Sequence, residues 1–164
     1  MTTQLSAQLQ FSAKPEVVYA MLQTLSYLEL KIADIPNATF NVSSHTGVAT
    51  VTVTRNWVGE LPAMAKKFLG DEVVIIEEQV WQPLQPNGNA TATLNVSIEG
   101  APVQVSATMN LQGTDSLTTI SIAGSVKVAI PIFGGKAEEV IANELSNIMA
   151  QEQNAGDLWL ASNA

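Results

Sequence analysis

From Thr39 to Val128 apolar residues return at every second position, run after run, and beyond Ile130 the period lengthens to that of a helix. Period two sends successive side chains to opposite faces of a sheet, so each run has one apolar face and one polar face. "TFNVSS" and "VATVTVTRNWV" flank the His45-Thr46-Gly47 turn and read as a hairpin. "DEVVIIEEQVWQP" resumes the strand pattern, and Asn87-Gly88 supplies a second turn because Asn-Gly adopts positive φ readily. Ala92, Leu94, Val96 and Ile98 then share one face, as do Val103, Val105, Ala107, Met109 and Leu111 in the next run. After "TDS" the last run aligns Ile120, Ile122, Val126, Val128 and Ile130, with Gly124 on the same face where it permits bending or close approach.

The ends of the chain supply the rest of the architecture. Leu5, Ala7, Leu9 and Phe11 alternate as a first strand. Pro15 suits the first position of a helix and Glu16 its positive end, and Val18, Met21, Leu22 and Leu25 follow at helical spacing. A second short helix is expected around Tyr27–Ala33, ended by Pro36, and "GELPAMAKKFLG" is expected to form a short helix or flap. In the C-terminal segment Ile141, Leu145, Ile148, Ala155 and Trp159 form one apolar stripe. A sheet with a bare apolar face needs a cover, and this helix fits. The fold class is therefore α+β: a curved antiparallel sheet of about seven strands around a long C-terminal helix, in the order β-α-α-β6-α. Residues 1–164 form one domain, of a size that buries roughly 70% of its unfolded surface.

Composition removes several functions. The chain has no cysteine, which excludes disulfides and thiolate metal sites. Its net charge of −8 argues against nucleic acids and anionic membrane surfaces as partners. No apolar run approaches the roughly 20 residues of a membrane span. "MTTQLSAQLQFSAKPE" lacks the basic and apolar regions of a signal peptide, so the expected location is the cytoplasm. The glycosylation acceptor patterns at Asn37, Asn41, Asn89 and Asn95 then read as polar strand faces and turns.

"FSAKPEVVYAML" after the first strand and the final strand–Gly–helix unit resemble the START-like, or helix-grip, superfamily, which includes Bet v 1-like pollen allergens, polyketide cyclases and steroidogenic lipid-transfer domains. Leu61-Pro62, Trp81, "IPIFGGKAEEVI" and Trp159-Leu160 are similar to an actinobacterial family of unknown function within it. The resemblance covers essentially the whole chain. It implies a seven-stranded sheet gripping the terminal helix, a cavity between them, and a hydrophobic small molecule as guest. It does not imply one activity, because the fold hosts carriers, receptors and enzymes.

Gly134-Gly135-Lys136 has the look of a phosphate-binding loop, but such a loop needs glycine where Ile130 stands and Ser or Thr in place of Ala137. It reads instead as a strand-to-helix junction, with Glu138 and Glu139 complementing the helix dipole. Arg55 shares the inward face with Ala49, Val51, Val53 and Trp57, and Glu152 falls near the centre of the apolar stripe of the terminal helix. A buried cation needs a partner. Arg55 and Glu152 could meet across the cavity; the readings are that each reaches solvent near a cavity mouth, that they pair structurally, or that they anchor a ligand headgroup such as a carboxylate on Arg55.

Within the cavity implied by the resemblance, the expected ligand-binding residues are Arg55, Trp57, Trp81, Met109, Ile122, Leu145, Ile148 and Glu152. Trp159 is a further candidate, with Met64, Phe68 and Leu69 as a lid. The strand Val73–Trp81 has no clearly apolar face, so its inward side is open and a bulge is expected. His45, the only histidine, reads as a solvated turn residue. The adjacent acidic pairs, such as Glu77-Glu78, point to opposite faces and do not converge on a metal, so no metal and no cofactor are expected.

The expected function is a cytoplasmic, non-enzymatic binding or carrier protein for a hydrophobic small molecule, such as a lipid, fatty acid or polyketide-like compound. No nucleic acid and no stable membrane insertion are expected. The alternatives are a cyclase- or hydrolase-type enzyme using Arg55 and Glu152, and a protein-interaction domain with a filled core.

Overall fold

The structure is a computed structural model that describes residues 2–57, 63–132 and 134–163, and within α3 it leaves aside the side chains of Met64, Ala65 and Phe68. Leu61, Pro62 and Phe133, and the lid side chains Met64 and Phe68, therefore lie outside the described residues. The chain runs β1 (Thr3–Phe11), α1 (Pro15–Met21), α2 (Leu25–Ile32), β2 (Thr39–His45), β3 (Val48–Asn56), α3 (Ala63–Leu69), β4 (Val74–Trp81), β5 (Ala90–Ile98), β6 (Val103–Gly113), β7 (Thr118–Val128) and α4 (Gly134–Asn163).

The seven strands form one antiparallel sheet in the order β1-β7-β6-β5-β4-β3-β2. Each strand from β2 to β7 pairs with the next, so the meander read from the alternating runs is the meander in the fold, and β1 closes the far edge beside β7. Thr46 and Gly47 both take positive φ and join β2 to β3 as a tight two-residue turn.

β4 differs from expectation. Its register with β3 and β5 is unbroken from Ile75↔Arg55 and Ile75↔Ile98 to Trp81↔Ala49 and Trp81↔Ala92, so it contains no bulge. Its inward face is Val73, Ile75, Glu77, Gln79 and Trp81, with Glu77 and Gln79 both buried. The strand stays regular because its two polar inward residues find partners within the core.

α4 lies across the concave face of the sheet. It buries Ile141, Leu145, Ile148, Met149, Glu152, Ala155 and Gly156. At its start, a Cβ on Gly134 would meet the Val128 carbonyl oxygen, so glycine is needed there for close approach, while the positive φ of the turn falls on Ile132. Glu138 is buried and ties the helix to two strands: its Oε2 accepts from the Val128 N–H at 3.0 Å and its Oε1 from the Thr3 hydroxyl at 2.9 Å. Further along, the Gln153 side chain both accepts from and donates to the backbone of Gln10 on the edge strand β1. A Cβ on Gly156 would overlap the Phe11 ring. Gly124 on β7 similarly leaves room for the backbone of Ser106 and Ala107 on β6.

Candidate functional site

Four charged side chains meet inside the sheet, all nearly inaccessible to water. β3 delivers Arg55, β4 delivers Glu77, α2 delivers Lys31 and α4 delivers Glu152. Glu77 is the hub. Its Oε1 accepts from Lys31 Nζ at 2.8 Å and from Gln79 Nε2 at 3.1 Å, and its Oε2 accepts from Arg55 Nη2 at 3.0 Å. Glu152 Oε2 faces Lys31 Nζ at 3.6 Å, and its Oε1 accepts a long bond from Gln79 Nε2 at 3.4 Å. Arg55 Nη1 also donates to Gln151 Oε1 at 3.1 Å. Gln79 passes the network on, because its Oε1 accepts from the Trp81 indole N–H at 3.0 Å.

Two cations therefore face two carboxylates, which is how a charge survives burial. Burial alone would raise the Glu77 pKa, but Lys31 and Arg55 outweigh it and hold the carboxyl below the ordinary glutamate value. Burial alone would lower Lys31, yet Glu152 and Glu77 hold it above the ordinary lysine value. Tyr27, from α2, stands beside the cluster. Burial pushes its phenol well up, and the negative charges of Glu152 and Glu77 push it further. Among the described residues, two buried polar atoms have no hydrogen-bond partner, the Tyr27 hydroxyl and Arg55 Nε, and both belong to this cluster.

The cluster borders a small void between sheet and α4. Glu77, Gln79 and Glu152 form its polar wall, and Met109, Ile122, Leu145 and Ile148 belong to its apolar wall. Its volume is about 10 Å³, roughly the room one water needs. A second void of about 10 Å³ lies nearer the start of α4, between Trp57, Val103, Glu144 and Leu145. Burial raises the Glu144 carboxyl there above its ordinary value.

Of the expected residues, the structure brings Met109, Ile122, Leu145, Ile148 and Glu152 to the first void and Trp57 to the second. Arg55 sits behind the polar wall. It does not pair directly with Glu152: Glu77 takes its guanidinium, and Lys31 and Gln79 link the two acids. Trp81 is fully buried, with its ring edge-on to Tyr19 at 6.1 Å, and lines neither void. Trp159 donates to Ser26 Oγ on α2 at 2.9 Å, outside both voids. Lys31, Glu77 and Tyr27 were not singled out from the sequence. The available signal was Glu77 and Gln79 sharing a face with Val73, Ile75 and Trp81, the pattern of a polar pair inside a core.

The glycine junction borders a surface groove of about 430 Å³ that also reaches Lys127 and Glu138. A phosphate there would meet the Glu138 carboxylate, which adds a structural reason to reject a phosphate loop. Among the described residues no group of three or more His, Asp or Glu is placed to hold a metal ion, and no helix is long and apolar enough to cross a membrane.

A seven-stranded antiparallel sheet wrapped on a long terminal helix defines the START-like, helix-grip class, and solved structures of that class superimpose on this chain. The Zhui aromatase/cyclase from Streptomyces has a TM-score of 0.59 at 10% identity, over 95% of this chain and 92% of that one. A START superfamily protein from Mycobacterium smegmatis has a TM-score of 0.52 at 10% identity, over 92% of this chain and 94% of that one. At such identities the likeness is one of fold. Residues 6–160 match the family described as "Protein of unknown function (DUF2505)", and the chain belongs to that family. An uncharacterized protein of Mycobacterium tuberculosis is 32% identical over 124 residues, 71% of this chain and 66% of the relative, just under two thirds of its length.

Proposed function

We propose that this protein is a cytoplasmic binding or carrier protein for a small, largely apolar molecule with one polar end, held between the sheet and α4. The observation that carries the reading is the buried cluster of Lys31, Arg55, Glu77 and Glu152 on the wall of an otherwise apolar interior, with two polar atoms left unpartnered beside it. Burying four charges in a core is costly, and apolar residues of similar volume are often as stable or more so. A site that recognises the polar end of a guest gives the cost a use. The apolar end would lie against Met109, Ile122, Leu145 and Ile148. Solved structures alike in fold include a START superfamily protein and an aromatase/cyclase.

Two voids of about 10 Å³ each do not hold a guest that needs a pocket of roughly 300 Å³ or more. Binding on this reading therefore opens the sheet–helix interface. Met109 and Met149 make that plausible physically, because unbranched thioether side chains repack at low cost. Native mass spectrometry of the purified protein, followed by titration with fluorescent lipids and aromatic polyketide analogues, tests the reading. A retained or titratable guest supports it, and cell fractionation checks the cytoplasmic placement.

The small voids also favour a second reading, a protein-interaction domain whose core is simply filled. Absence of any bound guest across the panel, with a protein partner recovered instead, would select it. An acid/base enzyme using Arg55 and Glu152 is less well supported, since Arg55 is taken up by Glu77 and Gln151 and sits behind the wall that Glu152 lines.

A further inference from the structure

The polar wall of the first void has a definite chemical preference. Arg55 and Lys31 are already neutralised by Glu77 and Glu152, so the buried cluster has no charge to spare. A carboxylate or phosphate entering it would add an uncompensated negative charge beside Glu77 and Glu152, both of which line the void. An ammonium would leave an uncompensated positive one. Only a neutral head keeps the balance.

The hydrogen-bond inventory narrows the head further. An ionised carboxylate offers about four acceptor sites. Glu152 receives the 3.4 Å hydrogen bond from Gln79 and a 3.6 Å ion pair from Lys31, with the Tyr27 hydroxyl beside it. It has acceptor capacity left and faces the void. The Tyr27 hydroxyl lies beside Glu152 and Arg55 Nε lies behind Glu77, and neither residue lines the void. A neutral group that meets this need is a hydroxyl, which donates one hydrogen bond.

We propose that the interior site recognises a neutral apolar alcohol or phenol, whose O–H donates to the Glu152 carboxylate on the wall of the void. The site discriminates against the matching carboxylic acid in its ionised form. This rests on the binding reading above and adds the class of ligand.

Naphthalene, 2-naphthol and 2-naphthoate share one apolar body and differ in the head, so isothermal titration of the full-length protein with each, near neutral pH, tests the assignment. 2-Naphthol should bind about tenfold or more tightly than either of the others, the effect of one hydrogen bond to a charged group. In Glu152→Gln the cluster keeps both cations and loses one anion, so the order should invert in favour of 2-naphthoate. Equal binding of naphthalene and 2-naphthol would overturn recognition of the hydroxyl. Preference of the wild type for 2-naphthoate would overturn charge balance as the selector, while leaving an interior binding site standing. A folded Glu152→Gln protein with the wild-type order would remove Glu152 from the site. Binding of none of the three would overturn the binding reading and this assignment with it. If Glu152→Gln fails to fold, the wild-type order of the three ligands still decides.

Discussion

At the scale of single residues, Glu77 is the position on which the interior depends. It holds both buried cations and a glutamine amide. Removing one partner of a buried ion pair strands the other, so Glu77→Gln should lose about 3–5 kcal/mol of stability by urea unfolding. Glu152→Gln should lose less, because its contacts at 3.4 and 3.6 Å are longer. The same residues set the pH range of stability. The folded pKa of Glu77 is below the unfolded value near 4.5, so its stabilisation is present above that value and is lost as pH falls through the folded one. The folded values of Lys31 and Tyr27 are above their unfolded values of 10.5 and 10.0. Their stabilisation is complete below those values and is lost as pH rises through the folded ones. Urea midpoints should therefore form a plateau from about pH 5 to about pH 9 that falls on both sides. Glu77→Gln should flatten the acid limb, and Lys31→Met should weaken the alkaline one.

At the scale of elements, α4 is held at both ends by different means. Near its start Glu138 fastens it to β7 and β1. Glu138→Ala removes two hydrogen bonds to a carboxylate and leaves the Val128 N–H without its partner, a cost of about 2–3 kcal/mol. Amide exchange at Val128 should accelerate while that of the central strands stays slow. Further along, Gly156 lets the helix seat against the Phe11 ring. Alanine there gains about 1 kcal/mol of helix propensity but overpacks a closed contact at about 1–3 kcal/mol. Gly156→Ala should therefore be neutral to destabilising, whereas alanine at an exposed helical glycine stabilises. A gain in melting temperature for Gly156→Ala would show that Phe11 moves aside freely.

At the scale of the whole molecule, the two voids lie under the stretch of α4 from Ile141 to Glu152, while the turns that follow are fastened to β1 by Gln153 and to α2 by Trp159. A guest that opens the interface should therefore change amide exchange in the turns around Leu145 and Ile148 and leave the turn around Trp159 protected. Uniform change along α4 would mean that the whole helix lifts. The sequence by itself determined the sheet, its meander and its gripping helix, because hydrophobic period is a local property: Leu94, Val96 and Ile98 show which way they face whatever they pack against. It also marked Arg55 and Glu152, each a charge on an apolar face. Tertiary structure alone decided their partners. Lys31, Arg55, Glu77 and Glu152 come from four elements far apart in the chain, and pairing between them depends on how α2 and α4 cross the sheet. β4 shows the same limit. Glu77 and Gln79 made its apolar face ambiguous, and a bulge was the local solution. The fold keeps the strand regular and buries both residues, because a cation from β3 and another from α2 are waiting inside. A polar residue in a strand reads as outward until something in the core can satisfy it, and only the assembled core supplies that something.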